Sequence, residues 1–232
     1  MKLAIMQPYF LPYIGYFQLI AAVDVFILYD NTKYTKKGWI NRNRLLLNGT
    51  DSTFSLPLKH DSDDLDICER ELATAFKRDK LLNQFIGAYR RAPYFEQTMP
   101  LLDQIVRYED TNLFRFLHHS ITRICQQLGI TTTIEISSNV AIDHTLRRQA
   151  KVLAQCDAMH ASIYINAIGG VDLYEKEAFQ ERGIQLNFIR SKLPEYAQFG
   201  NAFVPHLSII DVMMFNSPDV IQSYLYNAYE LI

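Results

Sequence analysis

The first thirty residues constrain the fold more than any other part of the chain. A short apolar run at residues 2–6, "KLAIM", predicts a buried strand, and "VFILYD" at residues 25–30 predicts a second one. Between them, Phe17, Ile20 and Ala21 recur at helical spacing. A strand, a short helix and a strand in so few residues are typical of a parallel βαβ unit. The opening of the chain therefore predicts an α/β fold.

The second half of the chain continues the alternation of strand-like and helix-like segments. Strands are predicted by "TTTIEISS", "ASIYINA" and "IQLNFI", and helices by "TLRRQAKVLAQCDA", "DLYEKEAFQERG", "LSIIDVMMFN" and "PDVIQSYLYNAYELI". We expect a mostly parallel, doubly wound sheet of the Rossmann-like kind. No repeat and no Gly/Ser-rich linker interrupts the chain, so residues 1–232 are predicted to form a single α/β domain.

The middle of the chain predicts a hairpin followed by a mainly helical insertion at about residues 65–130. "WINRNRLLL" and "TFSLPLK" are strand-like, and an Asn-Gly turn signal at residues 48–49 lies between them. "ICERELATAFKRDKLLNQFIGAYRRA" predicts a helix that ends before Pro93. "TNLFRFLHHSITRICQQLG" predicts a second helix, with Gly129 as its stop signal.

Charge, cysteine spacing and hydropathy exclude several classes of function. The formal net charge of −2 provides no long-range attraction to DNA or to an anionic membrane surface. The three cysteines lie far apart without C-x-x-C spacing, so neither a disulfide framework nor a metal site is predicted. The most apolar stretch, "FQLIAAVDVFILY", is too short to span a bilayer, and the N-terminus lacks the pattern of a signal peptide. We therefore expect a cytoplasmic protein.

The loop after the first strand, "QPYFLPYIGYF" at residues 7–17, is the first candidate site, because ligands bind at the carboxyl ends of strands in doubly wound sheets. Its two prolines fix backbone angles and remove N–H donors, so the loop is predicted to be stiff. Gly15 permits the close approach of a ligand at the start of the next helix. Tyrosine rings stack on a sugar or a base while their hydroxyls bond to it, which predicts binding by Gln7, Tyr9, Tyr13 and Tyr16. The alternative is a hydrophobic plug that seals the sheet.

The second candidate is the basic hairpin, "YDNTKYTKKGWINRNR". Asp30 ends a buried strand, where a carboxylate must be paired or used, and we expect it to be catalytic. Alternation along an extended chain places asparagines on one face and arginines on the other, and arginine binds phosphate or carboxylate through its bidentate fork. The predicted substrate-binding residues are Lys36, Trp39, Asn41, Arg42 and Asn43. The alternative is a solvated basic hairpin.

The third candidate is the loop "YINAIGGVDLY", in which Gly169 and Gly170 lie between a strand and a helix where backbone N–H groups favour an anion. A plain turn is the alternative. Near the C-terminus, His206 directly precedes a predicted helix and is the histidine that we expect to act as a general acid or base. Ser208 and Asp211 are further binding candidates, although their spacing is close to a capping box and favours a structural role.

Taken in order, these segments resemble the WbqC-like family of bacteria over nearly the full length of the chain. The matching segments are "QPYFLPYIGYFQLI", "DVFILYDNTKYTKKGWINRNRL", "FSLPLKH", "YRRAPYF", "EISSN", "YINAIGGVDLY" and "FVPHLSIIDVMMFN". Asn31 stands where the resemblance implies a second Asp after Asp30. The matched segments add further binding candidates, which are Lys59, Ser137, Ser138 and Asn166.

The resemblance implies a role in O-antigen or other surface-polysaccharide biosynthesis, namely the formation of an amide on the amine of a nucleotide-linked amino sugar. The acyl donor would be a carrier-protein thioester, an aminoacyl-tRNA, or an acid activated as an adenylate with ATP and Mg²⁺. Two alternatives stay open. One is a nucleotidyltransferase-like enzyme that uses "YIGY" at residues 13–16, and the other is a non-catalytic nucleotide-sugar-binding or assembly protein. The aromatic C-terminal helix suggests a surface for a second copy of the chain.

Overall fold

The centre of the fold is a six-stranded sheet in which five strands run parallel. The computed structural model describes residues 1–200 and 202–232. In chain order the strands are β1 Lys2–Met6, β2 Val25–Leu28, β3 Arg42–Leu47, β4 Thr50–Ser55, β5 Thr133–Ile136, β6 Ile163–Ala167, β7 Gln185–Ser191 and β8 Tyr229–Leu231. The helices are α1 Ile14–Ala21, α2 Arg78–Tyr89, α3 Phe95–Val106, α4 Leu113–Gln127, α5 Arg148–Ala158, α6 Lys176–Gln180, α7 Ile209–Phe215 and α8 Pro218–Asn227. No helix among the described residues is long and apolar enough to cross a bilayer.

The strand order confirms the predicted α/β class and its mostly parallel sheet. The spatial order is β5-β2-β1-β6-β7-β8, and only β8 runs antiparallel to its neighbour. Counted along the chain within this sheet, the order reads 3-2-1-4-5-6, which is that of the doubly wound Rossmann fold. The order reverses between β1 and β6, at the middle of the sheet.

Side chains alternate between the two faces of the sheet and form two cores. Along β1, Leu3 and Ile5 join a smaller core with residues of α5 and α6, among them Phe179. Ala4 faces the other way, into a larger core that α1, α3, α4, α7 and α8 complete. The helices that follow β1 and β6 therefore cover opposite faces, which leaves a crevice between those two strands.

The β3–β4 hairpin forms a separate two-stranded sheet. Its turn is the predicted Asn-Gly turn, with positive φ of 51° at Asn48 and 79° at Gly49, so this prediction is confirmed. The ring of Phe10 lies 5.7 Å from that of Phe54 in the hairpin and 6.0 Å from that of Phe116 in α4. These contacts hold the hairpin and the helices against the loop that follows β1.

The helical segment differs from the sequence prediction in two places. The predicted helix from residue 67 is wrong in its first part, because only a short 3-10 turn at Ile67–Glu69 forms there and α2 begins at Arg78. The turn is fixed by reciprocal bonds between Asp66 and Glu69, a capping box that starts no long helix. The helix α3 was not predicted, since Pro100 lies inside it and proline is a helix-breaking signal.

The C-terminal segment also differs from the prediction. The predicted helix stops at Asn227, and Tyr229–Leu231 turn back as β8 along the outer edge of β7. The backbone N–H of Phe188 donates to the carbonyl of Ile232, and the carbonyl of Phe188 accepts the N–H of Ile232. An edge strand presents unpaired backbone groups, and pairing with β8 satisfies those of β7. Tertiary pairing therefore overrides the helical pattern.

A buried carboxylate links four segments of the larger core. Asp211 of α7 accepts hydrogen bonds from the Tyr89 hydroxyl at 3.0 Å, the Tyr196 hydroxyl at 2.7 Å and the Gln198 amide at 2.6 Å. The Tyr89 hydroxyl in turn accepts the backbone N–H of Leu46 at 2.9 Å. The side chain of Asp211 thus connects four segments, which are α2, α7, the β3–β4 hairpin and the segment after β7.

We expect Asp211→Ala to lower the free energy of unfolding by about 3 kcal/mol, because three buried donors lose their acceptor. Burial raises the pKa of Asp211 above its ordinary value of 3.8, so folding favours the protonated form. Stability contributed by this group is complete below pH 3.8 and is lost as the pH rises through the raised value.

Urea titrations at several pH values measure the effect. The stability advantage of the wild type over Asp211→Asn should shrink as the pH rises from about 4. The matched control is the exposed Asp172→Asn, which should show no such trend. A pH-independent difference for Asp211→Asn would contradict the role assigned to burial.

Candidate ligand-binding site

A cavity of about 480 Å³ opens in the crevice between β1 and β6. This is the topological switch point, where doubly wound folds bind their ligands. We call it the switch-point cavity. Its side chains come from the ends of both strands and from the loops that follow them, and the lining residues are Ile5, Met6, Gln7, Tyr9, Tyr13, Gly15, Tyr16, Leu19, Tyr29, Asn166, Ala167, Ile168, Gly169, Gly170, Leu173 and Tyr174.

The loop after β1 is held rigidly by the hairpin. The backbone N–H of Phe10 donates to Ile40, and the Asn43 amide donates to the carbonyls of Phe10 and Leu11. The Ser208 hydroxyl donates to the same Leu11 carbonyl at 2.7 Å. Phe10 and Leu11 are fully buried, so they anchor the loop while Tyr9 and Tyr13 stay half-buried at the cavity.

The three tyrosines of this loop have different environments. Tyr16 is buried, and its hydroxyl donates to the carbonyl of Gln7 at 3.0 Å. Its ring supports that of Tyr9, at 5.6 Å between centroids. Burial raises the pKa of Tyr9 and of Tyr13, so both hydroxyls remain protonated at neutral pH and can donate to a ligand. Tyr9 and Tyr13 therefore offer a ring face and a hydroxyl each.

Gly15 permits the position of the Tyr13 ring. A Cβ atom built on Gly15 would lie 2.3 Å from Cε2 of Tyr13, well inside van der Waals contact. The ring lies over the first turn of α1 only because residue 15 has no side chain. The close approach predicted from the sequence is thus made by a neighbouring side chain.

A second cavity, of about 320 Å³, lies on the hairpin side of Tyr9 and Tyr13. We call it the Trp39 cavity. Three residues, Tyr9, Tyr13 and Ile168, also line the switch-point cavity, and the others are Pro12, Trp39, Asn43, Arg44, Arg190, Ser191 and His206. Two guanidinium groups, one from β3 and one from β7, therefore border the same space.

A third cavity, of about 360 Å³, follows on the far side of Tyr13. We call it the Leu193 cavity. Tyr13, Ser191 and His206 border both this cavity and the Trp39 cavity. Since Tyr13 lines all three cavities, they form one row, which we call the groove. The loop after β1, the basic hairpin and the Gly169–Gly170 bend meet in it.

His206 lies at the junction of the Trp39 and Leu193 cavities. Its backbone has a positive φ of 57°, and its carbonyl accepts a hydrogen bond from Arg44 at 3.1 Å. Its exposed ring approaches Tyr13 edge-on, with 6.2 Å between the ring centroids. The structure thus places this predicted general base on the groove.

Asp30, the other predicted catalytic residue, does not line any of the three cavities. It is buried at the ends of β2 and β5, where its carboxylate accepts the backbone N–H of Ser138 at 2.9 Å. The Ser137 hydroxyl donates to Asn31 at 2.8 Å in the same cluster. These hydrogen bonds form a polar network that joins the two strand ends.

Several predicted residues of the hairpin have their donors occupied within the protein. The Asn41 amide donates to the carbonyl of Leu56, and the amide of Asn43 holds the loop after β1. Arg42 donates to the carbonyls of Lys37 and Gly38. Of these three residues only Asn43 borders the groove, and its neighbour Arg44 takes the place predicted for Arg42.

The remaining predicted residues divide into lining and surface positions. The Asn166 amide oxygen accepts the backbone N–H of Ala167, and its amide nitrogen lies 3.1 Å from the Cβ position of Gly170, so it packs under the bend. The exposed amines of Lys36 and Lys59 pair with Asp63 and Glu71, respectively, and neither lines the groove. Ser208 caps α7, and Asp211 is the buried acceptor described above; both have the structural role that the sequence favoured.

Sequence reasoning missed several contributors to the groove, among them Arg190, Ser191, Tyr29 and Leu193. Arg190 and Ser191 end β7, and Tyr29 follows β2. The carboxyl-end rule that selected the other loops applies to these positions too, and it would have found them. Burial raises the pKa of Tyr29 to about 12, so it lines the switch-point cavity as a neutral ring. Leu193 follows β7 and carried no recognisable signal.

The groove offers few protein ligands to the Mg²⁺ of a Mg²⁺–ATP complex. Among the residues that the structure describes, no three His, Cys, Asp or Glu side chains are grouped to hold a metal ion. The one carboxylate that borders the groove is Glu195, and Mg²⁺ requires oxygen ligands of this kind. We therefore derive no step through an adenylate.

Comparisons with known proteins identify one family. A family model described as "WbqC-like protein family" matches residues 7–223. The uncharacterized protein Rv1507c of Mycobacterium tuberculosis (strain ATCC 25618 / H37Rv) is 29% identical over 221 residues, which cover 91% of this chain and 92% of that protein. No solved structure matches the chain.

Gly15→Ala should displace the Tyr13 ring from the groove without unfolding the protein. The clash involves the far end of the Tyr13 side chain, which can rotate away. Ala is favoured over Gly inside a helix by about 1 kcal/mol, which offsets the cost of the movement. Fluorine NMR of fluorotyrosine-labelled protein measures the environment of the ring.

The control for this prediction is Gly87→Ala in α2, where a Cβ atom meets nothing within 4 Å. It should stabilise the protein by a similar amount and leave the Tyr13 signal unchanged. An unchanged Tyr13 signal in Gly15→Ala would show that the ring does not depend on the glycine.

Proposed function

The chain belongs to the WbqC-like protein family, and on this premise we propose that it forms an amide on the amine of a nucleotide-linked amino sugar in surface-polysaccharide biosynthesis. The observation that carries the proposal is the groove itself. Aromatic rings line it at the topological switch point, and two arginines border its Trp39 cavity. This is the combination that a sugar attached to a nucleoside diphosphate requires.

The sugar and the diphosphate would occupy neighbouring cavities. The rings of Tyr9 and Tyr13 would stack on the sugar, and their neutral hydroxyls would donate to its oxygens. Arg44 and Arg190 would bind the diphosphate, in competition with Asp51 and Glu230, their partners in solvent-accessible ion pairs. Such exposed ion pairs contribute little to stability, so a phosphate group of the ligand can replace the two carboxylates.

Trp39 would provide the stacking surface for the base. Its side chain is 44% exposed, an unusual position for so large an apolar ring. The Arg44 guanidinium lies 5.6 Å from the ring centroid, which fixes the indole beside the phosphate-binding group. A base stacked on Trp39 would place the diphosphate next to Arg44.

His206 would take the proton during the transfer. The sugar amine must be neutral to attack, and its nitrogen forms a bond to the carbonyl carbon of the donor. The C–S bond of a thioester, or the C–O bond of an aminoacyl ester, then breaks. The imidazole accepts the proton that the amine loses and gives it to the leaving thiolate or alkoxide, so the step is balanced.

The activity can be tested with a UDP- or dTDP-linked 4-amino-4,6-dideoxy sugar and a set of donors, which comprises short acyl-coenzyme A thioesters and glycyl-tRNA. We expect mass spectrometry to detect the amide with at least one donor. His206→Ala should lower the rate by about 100-fold or more, since general base catalysis is lost. The control is His160→Ala, which also replaces an exposed histidine with positive φ, 53°.

Absence of any amide with every donor would contradict the proposal. Nucleotide-sugar binding without a product would favour the non-catalytic alternative. Release of pyrophosphate from a nucleoside triphosphate without an amine would favour nucleotidyl transfer instead. Amide formation, binding without a product and pyrophosphate release therefore each select one of the three functions.

Arg44→Ala and Arg190→Ala should each weaken UDP binding about tenfold, because each removes a charge-assisted hydrogen bond to the diphosphate. Calorimetric titration with UDP and with uridine separates the phosphate contribution from that of the base. Uridine binding should be unchanged in Arg190→Ala, whose side chain does not contact the Trp39 ring. Arg182→Ala, in an exposed ion pair with Asp157, is the matched control.

A further inference from the structure

We propose that the Leu193 cavity binds the apolar acyl group of the donor, a short aliphatic chain without charge. The inference rests on the proposed function and names the substrate class that the function leaves open. It assigns a simple acyl donor to the protein, as opposed to an aminoacyl donor that carries a free ammonium group.

The lining of the Leu193 cavity combines apolar side chains with the polar residues Ser191, Lys192, Glu195 and His206. The apolar or aromatic contributors are Ile14, Leu193, Tyr196, Phe203, Pro205, Leu207 and Val212. They come from α1, α7 and the segment between β7 and α7. Hydrocarbon surface of this extent favours a hydrocarbon ligand, at about 0.8 kcal/mol for each buried methylene.

Tyr196 contributes its ring to the cavity and directs its hydroxyl elsewhere. The hydroxyl donates to the buried carboxylate of Asp211 at 2.7 Å, so its proton is not available to a ligand. The ring packs edge-on against Phe203, with 5.0 Å between centroids. The hydroxyl of Tyr196 is thus turned away from the cavity and into the core.

The segment that forms the wall is fixed by buried hydrogen bonds. Gln198 is fully buried, and its side chain donates to Asp211 and to the Val204 carbonyl while it accepts the Val204 N–H. These bonds bend the segment so that residues 193–200 and 202–207 enclose a space. The cavity is therefore a built feature of the fold and is coupled to the buried carboxylate.

The position of the cavity suits a donor group. Tyr13, Ser191 and His206 separate it from the Trp39 cavity, where the diphosphate would bind. A carbonyl at the boundary would lie beside His206, with its acyl chain in the Leu193 cavity. The amine of a sugar at Tyr13 would approach the same carbonyl from the other side.

The charged residues of the cavity do not suit a free ammonium group inside it. Lys192 and Glu195 are exposed, and Lys192 already pairs with Glu230. An ammonium group placed among the apolar side chains would lose its hydration, and the carboxylate of Glu195, the one anion among the described lining residues, is exposed to solvent. An uncharged aliphatic chain meets no such cost.

The test uses acetyl-, butyryl- and hexanoyl-pantetheine as probes in calorimetric titrations, in the presence of UDP. The affinity should rise about fourfold for each added methylene until the cavity is full. Leu193→Trp fills the cavity and should weaken butyryl-pantetheine binding at least tenfold, with UDP affinity unchanged. Leu193→Ala enlarges it and should move the optimum to longer chains.

Leu231→Trp, at an exposed position on β8, is the matched control and should change neither affinity. Equal affinities for the three thioesters, or an unchanged affinity in Leu193→Trp, would overturn the acyl subsite. If chain-length-dependent binding is found but UDP and the nucleotide sugar do not bind, the proposed function fails and the subsite stands. If the nucleotide sugar is acylated without chain-length dependence, the acyl subsite fails and the proposed function stands.

Discussion

The structure depends on one buried carboxylate more than on any other polar group. Asp211 accepts three hydrogen bonds, and the hydroxyl of Tyr89, one of the three donors, also accepts a backbone N–H of the hairpin. A buried donor without an acceptor costs free energy, so these hydrogen bonds hold each of the joined segments in place. The hairpin carries Arg44, the segment after β7 carries His206, and α7 carries Val212. The geometry of the groove is thus set from within the core, at a distance from any ligand.

Local periodicity predicted the sheet and the general place of the groove. Short apolar runs such as that of β1 identified the parallel strands, and the rule on carboxyl ends selected the three loops that meet around Tyr13. These features depend on sequence spacing and on general properties of parallel sheets. They do not depend on which particular atoms are hydrogen-bonded, and this is why a single sequence was sufficient.

Individual roles within the loops could not be predicted, because partners distant in sequence decide them. Asn43 is of a residue type that can donate to a ligand. Its amide instead donates to the carbonyls of two residues in the loop after β1, 32 and 33 positions earlier in the chain. Asp30 ends a strand as expected, and the partner that occupies it is a backbone N–H 108 residues away. The edge strand β8 likewise forms because β7 offers open backbone groups. Long-range pairing leaves no local pattern.

The Tyr13 ring has a consequence for how substrates would meet. It is a side chain, not backbone, that partitions the groove, and it borders every compartment. Because the partition is a side chain, a single substitution changes it while the backbone around it stays in place. Exchange of this one ring for a smaller residue would merge the compartments, so specificity can diverge without any change in the sheet.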